Sequence, residues 1–239
     1  MYEFERQEKI VEYLKTHRFA TFGELSKIVW ASESSVRRDI KALERRGYVR
    51  QIYGGAVLTD SESSVVPVEL RDSTNSSEKE ELARRAAEYI FDGATIIMDG
   101  SSTVRRIARY MGEYKNLRII TNNQRLFNEC NVSDISLYCT GGQFLQNSSI
   151  FVGPAAEAYI NGINADIVFF SSQAISDAGE ISDVSEEETS LRRVMLARAK
   201  KRIFLCDSSK IGQKRTFTLC TKDDVDAIIC DKPLPWENI

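Results

Sequence analysis

From Ser77 to Cys230 the chain alternates short β-prone runs with helical stretches, and this alternation constrains the fold more than any other feature. The runs ATIIM, LRIIT, ISLYC, ADIVFF, KRIFLC and DAIIC are interleaved with STVRRIARYM, NQRLFNE, PAAEAYI and EETSLRRVMLARA. Parallel neighbours need a crossover connection, usually a helix. The pattern therefore predicts an α/β region with an open, largely parallel sheet flanked by helices, Rossmann-like in outline. Ser77 and Glu80 have capping-box spacing, which predicts a helix from there to roughly Phe91, ahead of the first strand.

The first 58 residues carry a different pattern. FERQEKIVEYLKTH sets Phe4, Ile10, Val11 and Leu14 at roughly helical spacing, and FGELSKIV turns Leu25, Ile28 and Val29 inward. Ser32 is placed to cap a third helix that runs to about Arg46 and stops at Gly47. Val36, Ile40 and Leu43 form its apolar stripe. YVRQI and AVL, separated by Tyr53-Gly54-Gly55, read as a hairpin. Three helices and a small hairpin make a winged helix-turn-helix. Between the two regions, TDSESSVVPVELRDSTNSS is polar and Ser/Thr-rich. The predicted division is residues 1–58, a linker at 59–77 in which VVPVEL forms an extended piece, and residues 78–239.

Charge points to a partner for the first region. The whole chain is mildly acidic, with 32 Lys+Arg against 35 Asp+Glu. Yet Arg37, Arg38, Lys41, Arg45, Arg46 and Arg50 crowd into fourteen positions, opposed only by Asp39 and Glu44. Arg37, Arg38, Lys41 and Arg45 lie off the apolar stripe, with Ser34 and Ser35 at the leading end of the same helix. An α-helix fits the major groove of duplex DNA, where arginine suits guanine and hydroxyls near the helix start suit phosphate. The expected DNA contacts are Ser34, Ser35, Arg37, Arg38, Lys41, Arg45 and, on the wing, Arg50.

Other chemistries are poorly served. His17 is the sole histidine, and the five cysteines show no C-x-x-C spacing. No metal or cofactor is expected, and reduced thiols are. No apolar run approaches the ~20 residues that cross a bilayer, and the start lacks a signal-peptide core. A cytoplasmic protein without a membrane partner is expected.

In the second region, three polar turns follow strands. Asp99-Gly100-Ser101-Ser102-Thr103 follows ATIIM and opens a helix, where backbone N–H groups and the helix dipole favour an anion. Thr121-Asn122-Asn123 follows LRII, and Gly141-Gly142 follows ISLYC. Ligands collect at strand carboxyl ends in open α/β sheets, so these turns predict a crevice.

At this point the stretch SESSVRRDIKALERRGYVRQIYGGA resembles the DNA-binding signature of DeoR-family transcriptional regulators, with Ser35-Val36 in place of the usual Thr-Ile and Tyr53 in place of His. The resemblance extends over nearly the whole chain. The family's effector domain is similar to sugar-phosphate isomerases, and its Asp-x-Gly-Thr-Thr, Thr-Asn, Gly-Gly and Asp-Ser-Ser-Lys motifs correspond to Asp99–Thr103, Thr121-Asn122, Gly141-Gly142 and Asp207–Lys210. Lys79 matches a lysine usual in the preceding helix. The resemblance implies a repressor of carbohydrate-metabolism genes, released when a phosphorylated sugar or related anion binds near Lys79 and Lys210. Four departures bear on that site: Ser101 where glycine is common, Ser171 and Ala174 in a usual Gly-x-x-Gly stretch, and Arg192 in place of lysine. Two other readings stay open, an isomerase-type enzyme and a regulator whose second domain only oligomerises. A homodimer or homotetramer is expected, since one small winged helix buries limited DNA surface.

Overall fold

The computed structural model describes residues 3–17, 19–58, 71–72, 75–130 and 134–237. They divide into two compact units, Met1–Arg71 and Asp72–Ile239. The expected extended piece VVPVEL lies outside the described residues.

The first unit is built from α1 (Glu3–His17), β1 (Phe19–Thr21), α2 (Phe22–Ile28), α3 (Glu33–Arg45), β2 (Val49–Ile52) and β3 (Gly55–Leu58). Ser32 caps α3 through its side chain, and Gly47 takes the left-handed conformation (φ +77°) that ends the helix region. Thr21 and Glu24 form a capping box at α2. Val36, Ile40 and Leu43 pack with Ile10, Val11, Leu14, Leu25 and Val29. Phe4, at the start of the same helical spacing, is exposed. The hairpin β2–β3 gains a third strand, β1, which pairs antiparallel with β3.

The second unit centres on six strands: β4 (Thr95–Met98), β5 (Leu117–Thr121), β6 (Ile135–Cys139), β9 (Ala165–Phe170), β12 (Ala199–Cys206) and β14 (Ala227–Cys230). Their order is β14-β12-β9-β4-β5-β6, with every pair parallel. Side chains alternate faces along each strand. Ile96, Phe169, Ile203 and Leu205 enter one core, with α4 (Ser76–Ala87) and the helical segment Ser102–Glu113, of which α5 is Ser102–Arg105. Ile97, Phe170 and Phe204 enter the other, with α7 (Pro154–Asn161) and α8 (Glu186–Ala197). A short helix α6 (Leu126–Glu129) follows β5. The result is a Rossmann-like sheet between two helical layers.

The capping box expected at Ser77 is not formed. Asn75 occupies the cap position with φ +52° and no side-chain cap, and α4 ends at Ala87. Both polar groups are drawn elsewhere. Glu80 accepts from Arg106, Arg109 and Tyr110, and the Asn75 amide reaches Asp207 and Ser209. The sequence pattern also passed over short antiparallel strands: β7 (Gln143–Leu145) with β8 (Ile150–Val152), and β10 (Ala174–Ile175), β11 (Glu180–Asp183) and β13 (Phe217–Thr221).

Candidate DNA-reading face and effector crevice

Of the three acidic residues on α3, Asp39 is turned into the core and Glu33 and Glu44 are exposed. Asp39 is buried among the apolar stripe and accepts from Arg6 Nε at 2.5 Å, Arg6 Nη2 at 3.0 Å and Gln7 Nε2 at 3.4 Å. Glu44 accepts the backbone N–H of Gln51 at 2.7 Å, tying the helix to the wing. Arg37, Arg38, Lys41 and Arg45 are exposed, as is Ser34, while Ser35 is half-buried. The Arg37 guanidinium lies 3.9 Å from the Phe22 ring centroid and 3.6 Å from Glu33, and Arg38 donates to Ser35 Oγ at 3.3 Å. Arg50 is exposed on β2. Arg46 turns back to Gln7 Oε1 at 3.3 Å. The exposed side of α3 is therefore cationic, with little charge compensation beyond one surface pair. Guanidinium groups so displayed can contact phosphate or guanine.

The second site is fixed by topology. From β4 the chain adds β5 and β6 on one side, then returns to place β9, β12 and β14 on the other. Strand order thus reverses between β4 and β9, the place where open α/β sheets hold ligands. Asp99 follows β4 at this point. It accepts from the N–H groups of Ser101 at 3.0 Å and Ser171 at 3.2 Å, and from Arg192 Nε at 2.8 Å. Arg192, buried on α8, donates also to Asp183 Oδ2 at 3.0 Å and Glu188 Oε2 at 2.9 Å. Burial works against its charge, but the three carboxylates prevail and raise its pKa above the ordinary arginine range.

At the end of β12, Lys210 Nζ donates to Ser171 Oγ at 2.9 Å and lies 3.7 Å from Asp207 Oδ2. Asn75 Nδ2 donates to Asp207 Oδ1 at 2.9 Å. Burial pushes the Asp207 carboxyl up, yet Lys210, Ser209, Lys79 and Asn75 together hold it below its usual value. Lys79 is itself buried on α4. Asp99, Gly100 and Ser101 are thus linked through Ser171 to Lys210, and through Asp207 to Lys79.

Beyond β5, Thr121 Oγ1 accepts the N–H of Asn123, whose Nδ2 donates to the Gly100 carbonyl at 3.2 Å. Asn122 Nδ2 donates to the Phe151 carbonyl at 2.9 Å. Its Oδ1 is buried without a hydrogen-bond partner among the described residues. Ser102, Thr103 and Thr121 are buried, so their side chains are closed off from solvent. Ser101, rather than crowding an anion turn, uses Oγ to accept the N–H of Val104 and cap its own helix. A Cβ on Gly100 would come within 2.4 Å of Ile150 Cγ2, so packing demands glycine there. Gly142, at φ +111°, is held 2.5 Å (measured to an added Cβ) from the Val152 carbonyl, and with Gly141 it turns the chain from β6 into β7. Ser171, one of the departures, joins this network, as do Asp183, Glu188 and Ser172, which were not singled out as site residues. The i, i+4 spacing of Glu188 and Arg192 was the signal available for one of them. Of the remaining departures, Ala174 is buried in β10 opposite Ser182.

Among the described residues no group of three or more His, Cys, Asp or Glu is arranged to hold a metal ion, and no helix is long and apolar enough to cross a membrane.

Residues 6–62 match the DeoR-like helix-turn-helix domain, and residues 74–232 match the DeoR C terminal sensor domain. The chain is 33% identical over 237 residues to the HTH-type transcriptional regulator GolR of Listeria innocua, covering 98% of this chain and 92% of that one. It is 30% identical over 238 residues to the putative aga operon transcriptional repressor of Escherichia coli O157:H7 (98% and 88%), and 27% identical over 236 residues to the glycerol-3-phosphate regulon repressor of Escherichia coli (98% and 93%). Ribose 5-phosphate isomerase A of Methanocaldococcus jannaschii superposes with a TM-score of 0.43, at 16% identity over 58% of this chain and 55% of that one, which carries no argument about catalysis. With one domain matching the helix-turn-helix and the other the sensor, the chain belongs to the DeoR family of transcriptional regulators.

Proposed function

We propose that the chain is a sugar-phosphate-responsive repressor in which residues 1–58 read duplex DNA, 59–77 link, and 78–239 sense the effector and oligomerise. Ser34, Ser35, Arg37, Arg38, Lys41, Arg45 and Arg50 make the DNA contacts. The effector lies at the strand-order reversal, near Asp99–Ser101, Asn122 and Lys210, with Lys79 acting through Asp207. One observation carries this reading: Asn122 Oδ1 is a buried, unpartnered acceptor beside the Gly100 turn, and a sugar hydroxyl would supply the missing donor. A relative that is a glycerol-3-phosphate regulon repressor supports a phosphorylated ligand.

Turnover is disfavoured on the same geometry. Isomerisation needs a carboxylate free to take a proton from carbon. Asp99, Asp183 and Glu188 are each hydrogen-bonded to Arg192, which leaves them as charge partners.

The effector acts by binding unequally to DNA-competent and incompetent states of a homo-oligomer, since equal affinity shifts nothing. A coupling of about 1–3 kcal/mol changes operator affinity roughly 5- to 150-fold. The test pairs thermal shift with DNA binding. A panel including glycerol 3-phosphate is screened against wild type and Lys210→Gln, using a duplex enriched by the protein from a random pool. The expected result is one or more ligands that stabilise wild type and change its DNA affinity, with Lys210→Gln binding DNA normally but unresponsive. A panel that neither stabilises the protein nor alters DNA binding overturns the effector reading.

A further inference from the structure

Cys206 ends β12 and Cys230 ends β14, and the two are Cα partners in the parallel register of those strands. Alternation sends Phe204, Cys206 and Ile228 to one face of the sheet, and Ile203, Leu205 and Ile229 to the other. Both thiols therefore project to the same side of the sheet as neighbours. Adjacent strands lie about 4.8 Å apart, within the Cα range that a disulfide spans. Cys206 is fully buried, whereas Cys230 also lines a cavity of about 250 Å³ bounded by Arg85, Asp231, Lys232 and Leu234. A water-sized oxidant fits there.

The two sulfurs are chemically unequal. The adjacent Cys206 thiol draws the Cys230 thiol below its ordinary value, and the Cys230 sulfur together with burial pushes the Cys206 thiol up. A thiolate is the reactive form. Cys230 thus has the character of the attacking group and Cys206 that of the resolving one.

We propose that Cys206 and Cys230 form a peroxide-sensitive thiol pair that closes into a disulfide. The Cys230 thiolate attacks one oxygen of hydrogen peroxide, an S–O bond forms, the O–O bond breaks, and the departing hydroxide takes a proton to become water. The Cys206 sulfur then attacks the Cys230 sulfur, the S–S bond forms as S–O breaks, and the leaving hydroxyl departs as a second water with the Cys206 proton. Two thiols lose two electrons and one peroxide gains them. Cys139 ends β6 at the opposite edge of the sheet and Cys220 lies in β13, and neither has a cysteine as its register partner.

The bond would reach beyond the sulfurs. Cys206 Sγ contacts the Asp207 carbonyl at 3.4 Å, and Cys230 Sγ contacts Asp231 Oδ1 at 3.7 Å. Asp231 in turn accepts from Ser208 N–H at 2.6 Å and Ser208 Oγ at 2.9 Å. Oxidation removes both S–H donors next to the Ser208–Lys210 turn, and it pins the edge strand β14 to β12.

The experiment treats the reduced full-length protein with a few equivalents of hydrogen peroxide, blocks remaining thiols, and digests with trypsin. Cleavage after Arg202, Lys210 and Lys222 isolates Cys206 in peptide 203–210 and Cys230 in 223–239, with no other cysteine in either. The expected product is these two peptides joined, lighter by two hydrogens than their sum and separated by dithiothreitol. Cys206→Ser should leave Cys230 as a sulfenic acid that dimedone traps, and oxidised wild type should melt several degrees higher than reduced. Three results overturn the proposal: Cys206 and Cys230 still alkylating fully when Cys139 or Cys220 has been oxidised, either of them linked instead to another cysteine, or a joined pair that melts lower. The wild-type digest decides the matter even if Cys206→Ser fails to fold.

Discussion

Arg192 and Asp99 meet at 2.8 Å across the reversal of strand order, although 93 positions separate them in the chain. The contact makes one guanidinium the centre of the sensor crevice. Its Nε, Nη1 and Nη2 are met by Asp99, Asp183 and Glu188, each nearly closed to solvent. Removing the cation would leave three carboxylates buried together. Arg192→Ala should therefore lower stability by about 3–5 kcal/mol, the usual cost of breaking a buried pair from one side. Arg192→Lys should lose less, since it keeps the charge but not the planar set of donors. Urea unfolding measures both. An alanine variant as stable as wild type contradicts this arrangement.

The Arg6–Asp39 pair plays a similar part in the first unit. It neutralises the one acid buried in α3, so that acid does not offset the outward arginines. Arg6 is 17% exposed against 2% for Asp39, so water softens the loss. Arg6→Ala should cost about 2–3 kcal/mol, below the full buried-pair figure. Denaturation of residues 1–58, followed by far-ultraviolet dichroism, would show it. No change in midpoint would mean that Gln7 alone satisfies Asp39.

Arg37 and Arg38 should behave differently from Arg46 in DNA binding. The first two are displayed outward, while Arg46 is spent on Gln7. Arg37→Ala or Arg38→Ala should weaken binding to a selected duplex by about 1–3 kcal/mol if a bidentate base contact is lost. Arg46→Ala should change it little. Binding should also weaken steeply as salt rises, because phosphate contacts release counterions. Anisotropy titrations at several salt concentrations test all of this, and an Arg46 variant as impaired as the other two would reverse the assignment.

The fold was legible wherever one periodic pattern ran long enough to be read locally. Val36, Ile40 and Leu43 announced α3, and runs such as ADIVFF announced the buried parallel strands. The short antiparallel strands were not legible. β10 has two residues, and β11 carries Ser182 and Asp183 where a periodic strand would show apolar groups. Those polar side chains are paired outside their own strand, Ser182 Oγ with the N–H of Arg215 and Asp183 with Arg192. The crevice suffered the same limit. Its turns at Asp99 and Thr121 follow strands and could be found, but the carboxylates that surround Arg192 come from three separated elements. Ser77 misled because capping-box spacing is local, whereas Glu80 answers to Arg106, Arg109 and Tyr110.

Asp207 gives the sensor unit a defined acid limb. Its carboxyl is buried, which alone would raise its pKa, but Lys210, Ser209, Lys79 and Asn75 lower it on balance. A depressed carboxylate contributes stability that is present above the unfolded value, about 3.9, and lost as pH falls through the lower folded value. Asp207→Asn removes that contribution. At neutral pH the variant should melt below wild type, since Lys210 and Lys79 lose their counter-charge. As pH falls below about 4, wild type should lose the same advantage and the two melting temperatures should converge. Scanning both proteins from pH 7 to pH 2.5 gives the difference directly, with titrations common to both cancelling. A gap that stays constant, or widens toward acid, would show that the Asp207 carboxylate is not the charge that Lys210 and Lys79 hold.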